Sequence, residues 1–188
     1  MTSLNIVVYC SSRKDIPQSH KDCATQLGTW IGQHHHNLIY GGVHAGLMSI
    51  TAQAAHDSNA TIIGIVPEMF MHRASHLNHQ LIPTTDLNHR KSRMIELGHL
   101  FVVLPGGLGT LDEWLATLSH LISTGLHHTI LIVNLDGIYD HLIAQLRATA
   151  ASPFAHGNIL SRMVIVTSTH DMITQLNNIT NNQQHIIS

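Results

Sequence analysis

Seven short apolar runs punctuate this chain, and helical patterns separate them. The runs are Ile6–Cys10, Asn37–Tyr40, Thr61–Val66, Gln80–Pro83, Leu100–Leu104, Thr129–Val133 and Met163–Val166. Most are continuously apolar rather than alternating, the pattern of a strand covered on both faces. The segments between them repeat apolar residues at helical spacing. Cys23, Leu27, Trp30 and Ile31 form one stripe, and Leu111, Trp114, Leu115 and Leu118 form another. Ile138, Leu142, Ile143 and Leu146 form a third. Strand and helix in strict alternation predict an α/β fold: a single-domain, doubly wound parallel sheet with right-handed crossovers. Pro83 places Gln80–Pro83 at a sheet edge. No linker or internal repeat divides residues 1–188, so one domain is expected over the whole chain. A final helix starts at Thr169 or His170, and the polar stretch 177–188 is expected to fray.

The stretch from Pro105 to Glu113 reads Pro-Gly-Gly-Leu-Gly-Thr-Leu-Asp-Glu. It lies between the run Leu100–Leu104 and a helical stripe, so it is a strand-to-helix turn. Gly106, Gly107 and Gly109 let the backbone turn tightly and approach a ligand closely. The first amides of a helix have no partner within it, and with the helix dipole they attract an anion. Thr110 can cap the helix or donate to the same anion. Glu113 follows one turn later and sets a carboxylate beside the anion pocket.

Other segments converge on the same sheet end. Ser11 and Ser12 follow the first strand, where small hydroxyls serve a phosphate, a ribose or a helix cap. A second glycine turn runs from Gly41 through Gly42 and Gly46 to Met48. Its spacing matches neither the dinucleotide fingerprint nor a P-loop. Arg90, Lys91 and Arg93 form the densest positive cluster, just before the central run Leu100–Leu104.

Composition excludes several alternatives. Only 11% of residues are charged and the formal net charge is −2, so a phosphate-tracking nucleic-acid surface is not expected. Cys10 and Cys23 are too few for a disulfide framework. The N-terminal stretch lacks a basic segment, and no apolar run is long enough for a membrane span, so a cytoplasmic protein is expected. The 18 histidines include His34-His35-His36 and the spaced set His72, His76 and His79. Neither set carries the companion ligands of a metal site, so no metal is expected. The histidine content should make net charge sensitive to mild acid.

On these motifs the chain resembles the "Lonely guy" (LOG) family of cytokinin riboside 5′-monophosphate phosphoribohydrolases, whose members are often mislabelled lysine decarboxylases. The pattern P-G-G-x-G-T-x-x-E is matched by Pro105 to Glu113. The pattern R-K-x-x-M is matched by Arg90, Lys91 and Met94, and Y-G-G-x-x-x-G-L-M by Tyr40 to Met48. Agreement of strand order and spacing extends from about Asn5 to Thr169. There are departures. Ala74 stands where many members carry a glutamate, with Glu68 a candidate to compensate. Ser119 stands where threonine is common, and Cys10-Ser11-Ser12 lacks the glycine of C-G-S-S.

The resemblance implies a modified Rossmann homodimer without cofactor. It implies hydrolysis of the N-glycosidic bond of an N6-modified AMP to free base and ribose 5-phosphate. Arg90 and Glu113 would be the catalytic pair. Ser11, Gly41, Gly42, Gly46, Met48, Lys91, Met94, Pro105, Gly106, Gly107, Gly109, Thr110 and Asp112 would bind the nucleotide. The chemistry fits, because a carboxylate can stabilise an oxocarbenium-like state and orient water. Arg90 can bind phosphate or polarise the departing purine, and its permanent charge makes it a poor proton donor. The alternative is a nucleotide-binding protein of the same fold without hydrolysis. A pyridoxal-dependent decarboxylase is disfavoured, since Lys14, Lys21 and Lys91 are the only lysines.

Overall fold

The computed structural model describes residues 3–155 and 158–187, with side chains described through residue 182. Met1, Thr2 and Ser188, which belong to the terminal stretches discussed above, lie outside them. The strands are β1 Asn5–Tyr9, β2 Asn37–Tyr40, β3 Thr61–Pro67, β4 Gln80–Thr84, β5 Leu100–Val103, β6 Thr129–Val133 and β7 Met163–Val166. The helices are α1 Gln18–Gln33, α2 Gly46–Asp57, α3 Leu87–Leu97, α4 Leu108–Thr124, α5 Asp140–Ala150 and α6 Thr169–Ile187. All strands join one parallel sheet in the order β4-β3-β2-β1-β5-β6-β7.

Burial along the strands follows that order. β1, β2, β5 and β6 are buried almost throughout, whereas edge strand β4 is largely exposed and edge strand β7 is half-buried. Pro83 sits in edge strand β4, opposite Val66 of β3, where a missing N–H costs no ladder bond. Successive side chains leave the sheet on opposite faces. Ile6 and Val8 join Leu27, Ile31, Leu47, Met172 and Leu176, so α1, α2 and α6 cover one face. Val7 and Tyr9 join Met94, Trp114, Leu118 and Ile143, so α3, α4 and α5 cover the other.

Packing between α1 and α2 depends on Gly28. A methyl group there would stand 2.3 Å from the Thr51 carbonyl oxygen. α4 stops at Gly125, whose φ of 71° is a left-handed cap. α3 starts at Leu87, two residues before His89, because the Asp86 carboxylate accepts the amides of Asn88 and His89, both at 2.8 Å. The segment after β3 carries a 3₁₀ helix, Glu68–Arg73.

One expectation is corrected at the C-terminus. The chain does not fray after Leu176; α6 continues to Ile187. Trp30 of α1 donates its Nε1–H to Asn177 Oδ1 at 2.8 Å, and Thr180 is buried with its hydroxyl on the Leu176 carbonyl. The start of this polar stretch is docked on α1 through the bond from Trp30.

Candidate active site

The strand order reverses at β1, which has β2 on one side and β5 on the other. Ligands bind at such a switch point, outside the C-terminal strand ends. Here a cleft of about 300 Å³ opens there. Ser11, Ser12 and Arg13 enter it from the end of β1, and Gly41 from the end of β2. Gly107, Leu108, Gly109, Thr110 and Glu113 enter from the start of α4, and Arg90 from α3.

The walls are tied together by the backbone. Ser11 donates its N–H to the Pro105 carbonyl at 3.1 Å, and Leu47 donates to the Ser11 carbonyl at 2.9 Å. Gly46, at φ +50°, lets α2 approach this turn, since a methyl there would meet Arg13 O and Ser11 O near 2.5 Å. Gly106 has the same kind of role: its missing side chain leaves room for Thr110, whose Oγ1 a methyl would meet at 2.1 Å. Gly107 and Gly109 differ, since a methyl at either would meet no protein atom within 4 Å. The space in front of them is open and belongs to the cleft.

Gly107, not Thr110, is the α4 N-cap, and no side chain caps the helix. Its first amides are thereby left for another acceptor. Thr110 sits within the first turn, buried against Gly106.

Two ion pairs join α3 to α4. Arg90 Nη2 contacts Glu113 Oε1, and Lys91 Nζ binds both Asp112 oxygens at 2.7 and 2.8 Å. The first pair is buried, with Glu113 7% exposed. Loss of solvation pushes the Glu113 carboxyl up, the adjacent Arg90 guanidinium opposes that rise, and the net direction is upward. Arg90 Nε is buried without a hydrogen-bond partner. Glu113 is the one carboxylate in the lining among the described residues. The cleft can therefore accept an anion on backbone amides and place one negative group beside it. Burial and the Glu113 charge also raise the Cys10 thiol, which stays neutral.

Of the residues read from sequence, Ser11, Gly41, Met48, Arg90, Gly107, Gly109, Thr110 and Glu113 line the cleft. Gly42, Gly46, Pro105 and Gly106 shape its backbone. Lys91 and Asp112 brace the two helices beside it, and Met94 is fully buried in the core beneath. Neither Ala74 nor Glu68 belongs to the lining. Sequence reasoning missed Val8, Cys10, Leu108 and Arg13. The signal for Arg13 was its position directly after the Ser11-Ser12 pair.

His34 stacks on Trp30, His35 occupies a left-handed turn, and buried His36 accepts the Leu4 N–H on Nδ1 at 3.3 Å. His76 lies near His44, and His79 near His56. No cluster of three His, Cys, Asp or Glu side chains occurs among the described residues. None of their helices is long and apolar enough to cross a membrane.

A seven-stranded parallel sheet with an uncapped helix N-terminus and a buried carboxylate at its switch point defines a Rossmann-like protein with an anion-accepting cleft. A family profile described as "Possible lysine decarboxylase" matches residues 48–176. The chain is 30% identical over 166 residues to cytokinin riboside 5′-monophosphate phosphoribohydrolase LOG4 of Arabidopsis thaliana, covering 87% of this chain and 76% of that protein. It is 32% identical over 170 residues to the cytokinin riboside 5′-monophosphate phosphoribohydrolase of Rhodococcoides fascians, covering 87% and 84%. This chain belongs to the LOG family. Its fold is shared with the molybdenum cofactor carrier protein of Chlamydomonas reinhardtii, at a TM-score of 0.75 and 17% identity, covering 96% of this chain and 99% of that one. The molybdenum cofactor binding protein of Rippkaea orientalis superposes with a TM-score of 0.72 at 23% identity, with the same coverage.

Proposed function

We propose that this chain hydrolyses the N-glycosidic bond of an N6-modified adenosine 5′-monophosphate, giving free base and ribose 5-phosphate. The observation that carries this reading is Glu113, a buried carboxylate held by Arg90 one helical turn from the open amides at Gly107 and Gly109. A nucleotide with its phosphate on those amides brings its sugar toward Glu113. As the glycosidic bond breaks, positive charge develops at C1′. The ionised carboxylate stabilises that charge and orients a water molecule. Water oxygen adds to C1′, one of its protons is released, and the base departs with the bonding electrons and takes up a proton. Arg90 fixes the carboxylate at the cleft wall. With one carboxylate in the lining, the cleft does not supply the paired acid and base of most glycoside hydrolases.

The names of the curated relatives support the same reading. Decarboxylation through a lysine Schiff base draws no support from the residues. Lys91 is held by Asp112, and Lys14 and Lys21 lie outside this cleft. The proposal includes a homodimer, as the family resemblance implies. Light scattering coupled to gel filtration tests the dimer.

The decisive experiment compares base release from AMP and from N6-isopentenyl-AMP, with Glu113→Gln as control. Faster release from the modified nucleotide, abolished in the variant, is the expected result. Binding of both nucleotides without release would instead identify a non-catalytic nucleotide binder.

A further inference from the structure

Three charged side chains line the cleft: Arg13, Arg90 and Glu113. Arg90 and Glu113 neutralise each other. Arg13 pairs with no carboxylate among the described residues. An adjoining cleft shares Arg13 and is lined also by Lys14, Lys21 and His44, with no carboxylate. Nothing on that side consumes the Arg13 charge either.

The backbone that presents Arg13 is fixed. Its N–H donates to Ser11 Oγ at 3.1 Å, and its carbonyl lies against Gly46. Ser11 is anchored in turn to Pro105 and Leu47. Arg13 is thus carried on a turn tied to its neighbours, in the lining of the same cleft as the α4 N-terminus.

We propose that Arg13 holds the phosphate of the substrate and sets the preference for a phosphorylated sugar. This rests on the nucleotide reading above. A phosphate monoester carries close to two negative charges at neutral pH, whereas a helix N-terminus offers about half a positive charge. The amides alone leave most of that charge uncompensated. Arg90 is committed to Glu113, so Arg13 is the cation that remains, and its planar fork suits two phosphate oxygens.

The test titrates ribose 5-phosphate and ribose by calorimetry into wild type, Arg13→Gln and Arg13→Lys. The expected result is about ten- to hundredfold weaker ribose 5-phosphate binding in Arg13→Gln, the loss typical of a charged hydrogen bond. Arg13→Lys should recover part of it, because charge returns without the fork. In base release, KM for the nucleotide should rise by a similar factor, with kcat within about threefold. Ribose 5-phosphate binding by Arg13→Gln within about twofold of wild type would overturn the proposal. So would a wild type that does not distinguish ribose 5-phosphate from ribose. Arg13-dependent binding without base release would sink the hydrolase reading and leave the phosphate site standing. Base release indifferent to Arg13 would do the reverse.

Discussion

Arg90 and Glu113 are 23 positions apart and meet as a buried ion pair between α3 and α4. The pair fixes the carboxylate in a cleft where nothing else is negative. Replacing Glu113 with Gln keeps the shape and removes the charge. Base release should fall by at least about 100-fold, the loss typical of one electrostatic stabiliser of a transition state. Steady-state release from N6-isopentenyl-AMP measures it, with circular dichroism to show that the fold is retained. Turnover near wild type would show that Glu113 does not act in the reaction.

The same burial fixes the pH response. The Glu113 carboxyl is raised by lost solvation, and the ionised form is the active one. Activity should therefore decline on the acid side through a group titrating above the ordinary carboxylate range. In Arg90→Gln the opposing cation is gone, so that limb should move to still higher pH. A kcat/KM profile against pH for both proteins checks the shift and its direction.

His36 should make the fold acid-sensitive. Burial, with His34 and His35 nearby, lowers it to about 4 from 6.5. Its Nδ1 accepts the Leu4 N–H only while unprotonated. The folded-state value lies below the unfolded one, so the contribution is present above about pH 6.5 and is lost as pH falls toward 4. The shift corresponds to about 3 kcal/mol. The neighbouring Asn5 N–H donates likewise to His99 Nδ1 at 2.9 Å, and Ile62 N–H in β3 to His79 Nδ1 at 3.1 Å. The Tm should drop steeply between pH 6.5 and 4. His36→Asn, whose Oδ1 can accept the same N–H, should flatten that drop. An unchanged slope in the variant would show that another group is responsible.

The glycines should separate into two classes. Gly107→Ala and Gly109→Ala meet no protein atom. Gly109 lies inside α4, where alanine is favoured by about 1 kcal/mol. Gly109→Ala should melt at or above the wild-type temperature, whereas Gly107→Ala, at the N-cap where glycine is preferred to alanine, should melt somewhat below it. Both should bind nucleotide about tenfold more weakly, because both residues line the cleft. Equal affinity would show that the ligand does not approach those amides.

Gly28→Ala should show the reverse. The same helical gain is outweighed by a methyl 2.3 Å from the Thr51 carbonyl oxygen. Forcing α1 from α2 should cost about 3 kcal/mol, as overpacking does at its upper range. Chemical denaturation measures it, and a stability equal to wild type would show that the helices part freely.

Much of this was legible in the chain. Continuous apolar runs specify strands covered on both faces, and their alternation with helical stripes leaves a parallel sheet as the consistent solution. Pro83 marked an edge because a proline cannot donate to a neighbouring strand. The Pro105–Glu113 motif fixed a strand, a turn and a helix start, since glycine spacing and capping are local properties.

Relations between distant segments were decided elsewhere. Sequence treated Gly106, Gly107 and Gly109 alike, whereas tertiary contacts make the first a packing position and leave the other two facing open space. Lys91 stood out in the sequence only as a charge in a basic cluster, and the fold sets it against Asp112 of α4. Arg13 was marked only by following the Ser11-Ser12 pair, and that it pairs with no carboxylate among the described residues is a tertiary property. The tail beyond Leu176 read as frayed because its polar residues offer little apolar stripe, whereas α6 runs to Ile187 and meets α1 where Trp30 bonds Asn177. Local backbone preference is written residue by residue, so the sequence determined strands, helices and turns. Which charges cancel, and which polar groups find partners, depends on distances that exist only once the sheet has brought its ends together.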